Sequence, residues 1–477
     1  MKNGVAGEPY HPSVHAPTRQ CATARSIHFL RSMLVTSFKP ELQRHYTAVT
    51  KKMQRRFHQL KKEDSALWGL VQAESKRQAE TIDLIPSENF ASAAALEALG
   101  SVLNNKYSEG YPGKRYYAGN AIVDQIELLA QERARRAFGL GKHWHVNVQP
   151  YSGSPANMAV YYALLRPGEK IMGMSLPFGG HLTHGWKVNF SGRFYNSTQY
   201  TVGRDGFLDY EAIRKLARKE KPKIIVAGAT AYPRFFDFKK FGAIARETGA
   251  YFMADIAHIA GLVIAGAHPS PFPYADIVTT TTHKTLRGPR GAIIFANRKS
   301  KIAEKIKIDI AQAIDRAVFP ALQGGPHDHQ TAAIAVALGE AMGPSFKKYG
   351  RQVVKNAKIL ARELTKKGFK LVTGGTDNHL LLIDLTNFGI SGREAQDRLE
   401  NAGIIVNRNA IPYDERSPFD PSGIRLGTPA ITSRGMRERD MKLIAKLIHS
   451  VLTGAKSLTG LKREVRIIAI KHRGRRI

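Results

Sequence analysis

Four short apolar runs, at residues 223–229, 251–254, 277–280 and 292–295, restrict this chain to few architectures. Their composition is that of strands buried on both faces. Helical patterns over residues 155–165 and 241–248 fall between some of the runs, and the first of these stops at Pro167. Strand–helix alternation predicts an α/β fold with a parallel or mixed sheet covered on both sides. Ahead of it, residues 65–80 read as a helix with Leu67, Leu70, Val71 and Ala73 among its apolar positions. Past Gly343-Pro344 the pattern shifts to a long basic helix, then to short strands at 380–385, 404–406 and 423–426. The expected organisation is a basic extension (1–62), an N-terminal arm with a large domain of mostly parallel sheet (63–342), and a smaller C-terminal α/β domain with a basic tail (343–477). Neither an internal repeat nor a low-complexity tract is evident.

The 477 residues are 43% hydrophobic, enough for a large core. Mean hydropathy is -0.29, and no apolar run reaches the length of a membrane-spanning helix. A single cysteine, Cys21, excludes an intramolecular disulfide and zinc sites built on several cysteines, and no metal site is read here. A reducing compartment fits, and the cytoplasm is the expected location. The charge is strongly basic, with 72 Lys+Arg against 39 Asp+Glu, or +33. Such a field attracts nucleic acid, acidic membranes and phosphorylated or polycarboxylate ligands. Residues 1–62 carry +10 of it and residues 455–477 carry +7, so over half of the excess lies in the two ends. The first 62 residues are acid-poor and contain Arg and Ser, as organelle transit peptides do. The preferred reading is a disordered or mis-started extension, with Met33 or Met53 as alternative starts.

Chemistry concentrates in five places. Thr279-Thr280-Thr281-Thr282-His283-Lys284-Thr285, followed by Gly288-Pro289-Arg290-Gly291, puts a lysine at the end of a buried strand. Ligands of α/β sheets sit at such carboxyl ends. A partly desolvated lysine there has a lowered pKa and can form a Schiff base, although a lysine taken alone is usually a solvated surface charge. A second strand ends in Asp255, with His258 three residues later. A carboxylate so placed can face the pyridine nitrogen of pyridoxal phosphate, or simply cap the next helix. Ser152-Gly153-Ser154 opens a helix and offers N–H groups to a phosphate, though it is also ordinary capping chemistry. Arg425 in Gly423-Ile424-Arg425 can grip a carboxylate through two parallel hydrogen bonds, or be a solvated cation. The stretch from Asn105 to Tyr117 interleaves aromatic and charged residues around a Tyr-Pro-Gly turn, a pattern suited to acid–base work or to stacking bases.

Together these segments resemble the serine hydroxymethyltransferase family. The resemblance covers about residues 63–455. It rests also on Leu84-Ile85-Pro86-Ser87-Glu88-Asn89, Asn147-Val148-Gln149-Pro150, Gly179-Gly180-His181-Leu182-Thr183-His184-Gly185 and Gln323-Gly324-Gly325-Pro326, and on residues 423–428. It implies a pyridoxal-phosphate enzyme of fold type I (aspartate-aminotransferase-like), a homodimer or dimer of dimers with active sites shared across the interface. The implied reaction moves the hydroxymethyl carbon of L-serine to tetrahydrofolate, giving glycine and 5,10-methylenetetrahydrofolate. Lys284 then matches the Schiff-base lysine, Asp255 the partner of the pyridine nitrogen, His258 the partner of the ring oxygen, and His181 the residue stacked on the ring. Ser152, Gly153 and Ser154 match the phosphate site. Thr230, where the family commonly has serine, keeps a hydroxyl at a cofactor-binding position. Gly324 and Gly325 match a phosphate segment from the neighbouring subunit, although Ala321-Leu322 stand where glycine is frequent. Arg425 and Ser87 match the substrate-carboxylate site. Tyr107, Glu109 and Tyr117 match residues supplied across the interface, with Glu109 as acid–base group. Leu176, Gly180, His181, Leu182, Asn409, Ser417, Pro418 and Phe419 match folate contacts. His184 reads on its own as a structural histidine.

Two other functions stay open on the sequence alone. The same site could serve a folate-independent aldolase for β-hydroxy amino acids such as threonine. The basic ends could bind nucleic acid, though no nucleic-acid motif accompanies them.

Overall fold

The computed structural model describes residues 58–472. The expectations for a transit-like or mis-started extension, for Cys21 and for the last five residues of the basic tail lie outside the described residues. The described residues divide into two units, 58–75 and 76–472. In the first, residues 58–75 are helical, in His58–Glu63 and in the larger part of Ser65–Glu80, the helix read from the sequence.

The second unit contains fifteen described strands. The first four are β1 (Ile82–Asp83), β2 (Gly110–Tyr111), β3 (Lys114–Arg115) and β4 (Trp144–Asn147). Next come β5 (Lys170–Met174), β6 (Asn196–Tyr200), β7 (Ile224–Ala227), β8 (Tyr251–Asp255), β9 (Ile277–Thr281) and β10 (Ala292–Asn297). The last five are β11 (Lys370–Leu371), β12 (Leu380–Asp384), β13 (Ile404–Ile405), β14 (Asn407–Asn409) and β15 (Gly423–Gly427). Seven of them form one sheet in the order β4-β10-β9-β8-β7-β5-β6. All ladders among β5 to β9 are parallel, and only β10 runs against its neighbours. The cause is the connection before β10, residues 282–291, which is too short for a parallel crossover. That connection carries Lys284.

The sheet is buried on both sides, as the four apolar runs require. Ile225, Phe252, Val278 and Ile293 belong to one apolar cluster. Ile224, Val226, Tyr251, Met253, Ile277 and Ile294 belong to another. Successive side chains point to opposite faces of a strand, so one run feeds two cores. β4 and β6, the edge strands, gave no apolar run: Asn196–Tyr200 is polar and partly exposed, and Trp144–Asn147, though buried, carries the polar His145 and Asn147. The Asn105–Tyr117 stretch contains the two-stranded hairpin β2–β3, turning at Pro112-Gly113.

Helix boundaries moved where capping decided them. The helix expected at 155–165 spans Gly153–Leu164, because Ser152 is extended and the turn begins directly after it. The helix expected at 241–248 starts at Phe238, where Asp237 accepts a hydrogen bond from the Lys240 N–H, and ends at Gly249 in the left-handed region.

A four-stranded antiparallel sheet, β11-β12-β15-β14, follows the long helix Pro344–Thr365. The run at 404–406 does not join it. Ile404 and Ile405 pair in parallel with Ile82 and Asp83 instead, and Ile82 and Leu84 pack into the cluster of Leu360, Leu381, Ile424 and Ile448. The N-terminal arm thus completes the C-terminal core. No described helix is long and apolar enough to cross a membrane.

Candidate active site

The carboxyl ends of β8 and β9 open on a cavity of about 230 Å3. Ser152, Gly153, Ser154 and Asn157 line it from the helix Gly153–Leu164, and His181 and His184 from the loop after β5. Asp255 ends β8, with Ala257 and His258 just beyond it; Thr281 ends β9, with His283 and Lys284 just beyond it; Ala229, Thr230 and Arg290 complete the wall. Segments far apart in the chain therefore converge where α/β sheets bind ligands.

Lys284 is held by its own turn. Its carbonyl accepts from the Arg287 N–H at 3.0 Å and from Asn89 Nδ2 at 2.9 Å. Thr285 Oγ1 donates to the His258 carbonyl, 3.0 Å, tying this turn to the end of β8. The Lys284 amine reaches Thr281 Oγ1 at 3.1 Å. Burial disfavours its charged form, and Arg425 and Arg290 add to that against the pull of Asp255, so its pKa falls to about 8.

Asp255 is a buried carboxylate that stays charged. Burial alone would raise its pKa. The hydrogen bonds from His184 and Asn157 outweigh this and hold it well below the usual carboxylate range. Asn157 Nδ2 donates to Oδ2 at 2.8 Å, and the Ala257 N–H donates to Oδ1 at 3.0 Å. His184 Nδ1 accepts from the His181 N–H at 3.3 Å, which leaves the proton on Nε2, 3.1 Å from Asp255 Oδ2. His184 is thus structural in a specific sense, as the brace of this carboxylate. His181 is neutral near pH 7, because burial lowers it to about 4.

The helix start at Gly153 forms the opposite end. No side-chain cap satisfies it at Ser152, so its first N–H groups face the cavity with the helix dipole behind them. A Cβ at Gly153 would stand 2.7 Å from the Thr281 methyl, so a larger residue would displace this edge. Gln323 braces it: Oε1 accepts from the Tyr151 N–H at 3.1 Å, and Nε2 donates to the Gln149 carbonyl at 3.0 Å. A weakly basic amine, an ionised carboxylate and a helix N-terminus match the aldehyde, pyridine nitrogen and phosphate of pyridoxal phosphate. The residues fit that group.

Other nominated residues lie off this wall. Arg425, 9% exposed, donates to the Thr230 carbonyl from Nη1 and to Asn407 Oδ1 from Nε at 3.2 Å. Ser87 follows Pro86, which packs against Gly427 on the strand of Arg425. Tyr107, Glu109, Tyr117, Gly324 and Gly325 form a separate group. Tyr107 Oη donates to Glu109 Oε1 at 3.2 Å, its ring meets Tyr117 edge-on at 4.7 Å, and Gly324 and Gly325 approach Glu109 and Tyr107. Among the folate candidates, Leu176, Gly180 and Leu182 flank Phe178. Phe178 meets Tyr413 edge-on at 5.0 Å, and Tyr413 belongs to the loop that leaves β14 after Asn409 and carries Ser417, Pro418 and Phe419. Leu182 and Phe419 are exposed apolar side chains there. Asn157, Thr281, His283 and Arg290 line the cavity without having been singled out. Only the last three had a local signal, their place in the Thr-rich lysine segment.

Sheet order, the lysine beyond the end of β9 and the carboxylate at the end of β8 define the class: an α/β enzyme of the fold-type-I pyridoxal-phosphate kind. A family model described as serine hydroxymethyltransferase matches residues 60–448. A serine hydroxymethyltransferase of Desulfotalea psychrophila is 58% identical over 393 residues, covering 82% of this chain and 89% of the relative. One of Acidothermus cellulolyticus is 57% identical over 391 residues, covering 82% and 88%. The chain belongs to the serine hydroxymethyltransferase family.

Proposed function

We propose that this enzyme reversibly transfers the hydroxymethyl carbon of L-serine to tetrahydrofolate, giving glycine and 5,10-methylenetetrahydrofolate, with pyridoxal phosphate held by Lys284. One observation carries the reading: a lysine of lowered basicity and a buried ionised aspartate face the same cavity. Bound there, the cofactor supplies the electron sink for breaking the Cα–Cβ bond of serine. Lys284 Nζ would hold the cofactor aldehyde covalently. Asp255 keeps a proton on the pyridine nitrogen, and Asn157 and His184 keep Asp255 charged and aimed. His181, a neutral imidazole, would stack on the ring, and His258 and Thr230, which line the same cavity, would contact it. Ser152, Gly153 and Ser154 take the phosphate.

Arg425 and Ser87 orient the substrate carboxylate. Arg425→Ala is expected to raise KM for serine about 10- to 100-fold, the worth of a charge-assisted bond. Arg425→Lys should recover little of it, since an ammonium cannot fork to both oxygens. Steady-state kinetics check both variants.

Tyr107, Glu109, Tyr117, Gly324 and Gly325 act on the cavity of a second copy in a homodimer. The support is that they cluster apart from the chain's own cavity, with Tyr107 52% and Tyr117 47% exposed. Glu109 there moves the proton of the serine hydroxyl. Leu176, Gly180, Leu182, Asn409, Ser417, Pro418 and Phe419 receive the folate. The deciding measurement is conversion of serine to glycine by the purified chain with and without tetrahydrofolate. A strong tetrahydrofolate requirement is expected; equal rates without it would favour a folate-independent aldolase.

A further inference from the structure

Residues 376–379 sew the start of β12 to the segment beside the cavity. Thr376 Oγ1 donates to the Pro233 carbonyl at 3.1 Å, and Asn378 Nδ2 to the Tyr232 carbonyl at 3.0 Å. The carbonyl of the next residue, His379, accepts from the Thr428 N–H at 3.1 Å. The His379 side chain, with 0% exposure, is thereby fixed with Nε2 3.2 Å from Nδ1 of His258.

Two imidazoles joined nitrogen to nitrogen share one proton. Both are neutral: burial, followed by the charges of Lys284 and Arg425 in either order, keeps His258 well below its ordinary range and His379 at about 3. If His258 donated from Nδ1, the proton of neutral His379 would sit on its own Nδ1. That nitrogen is buried and has no hydrogen-bond partner. An orphaned buried N–H is rarer and costlier than an orphaned acceptor. The other arrangement leaves only a bare lone pair there. His379 then donates from Nε2, His258 accepts at Nδ1, and the proton of His258 resides on Nε2, the nitrogen left for the cavity that His258 lines.

We propose that His379 is a positioning residue which locks His258 in the Nε2–H tautomer, so that His258 presents a donor to the ring oxygen of the cofactor. The oxygen's identity rests on the proposed cofactor site; the tautomer does not. His379 thus ties the C-terminal sheet to the protonation pattern of the cavity.

The first test is nitrogen NMR of the full-length wild-type chain, histidine-labelled and free of cofactor. His258 is expected to carry its proton on Nε2; a proton on Nδ1 overturns the proposal whatever the variants do. In His379→Gln the amide N–H can take the place of Nε2–H, and the tautomer should persist. In His379→Leu the donor is gone: His258 should populate both tautomers, affinity for added pyridoxal phosphate should fall about ten-fold, and the visible band of the bound cofactor should move. Gln and Leu variants alike in tautomer, affinity and band would also overturn it. A wild-type chain with the expected tautomer but no pyridoxal-phosphate binding would sink the cofactor reading alone.

Discussion

Lys284→Ala is expected to abolish covalent attachment of pyridoxal phosphate and to lower turnover by roughly a hundred- to ten-thousand-fold, the range for a positioned acid–base or covalent group. Borohydride reduction followed by peptide mapping should mark the peptide containing Lys284 in the wild type and none in the variant. The pH dependence carries a second signature. Burial lowers the Lys284 pKa to about 8, so capture of the aldehyde by cofactor-free protein should rise through pH 8 and level off. An ordinary lysine would keep gaining up to about pH 10.5. The same shift sets a stability trend. The unfolded chain binds more protons than the folded one between about pH 8 and 10.5, so this group's contribution improves as pH rises through that window. At pH 7 a buried ammonium is a cost, and Lys284→Ala should leave cofactor-free protein as stable or more stable, by up to about 3 kcal/mol. A covalent adduct surviving in the variant would refute the assignment.

Asp255→Asn is the second large effect. The side chain keeps its shape but loses the charge that holds a proton on the pyridine nitrogen. Turnover should fall roughly a hundred- to thousand-fold, the usual loss of one preorganised electrostatic contact. Attachment at Lys284 should persist, which separates this variant from the first. Stability should fall as well, by about 1–3 kcal/mol, because an asparagine cannot accept from Asn157, His184 and the Ala257 N–H as a carboxylate does. The wild-type group has a depressed pKa, so its contribution is fully present at neutral pH and is lost only as pH falls below the ordinary carboxylate range. Retained turnover together with a lowered melting temperature would reduce Asp255 to a structural role. Absorbance of the bound cofactor, steady-state rates and thermal melts distinguish these outcomes.

Much of the architecture was legible because the central strands are buried on both faces, which leaves continuous apolar runs in the chain. The edge strand Asn196–Tyr200 escaped because it partly meets solvent and is polar, and Trp144–Asn147 escaped because two of its four residues, His145 and Asn147, are polar although the strand is buried. The pairing of Ile404 and Ile405 with the N-terminal arm escaped for another reason: two apolar residues state a need for burial but name no partner. Lys284, Asp255 and the Ser-Gly-Ser turn carried local signals, each a change of residue type at the end of a strand or the start of a helix.

The sequence by itself determined that this is an α/β chain with a lysine and an aspartate at strand ends, because strand period, turn chemistry and helix starts are properties of neighbouring residues. Tertiary structure alone decided what those two groups become. Asn157 and His184 reach Asp255 from 98 and 71 positions away, and His379 reaches His258 from 121. Hydrogen bonds and desolvation at such separations leave no local pattern, yet they keep the aspartate charged, the lysine weakly basic, and His258 and His379 neutral.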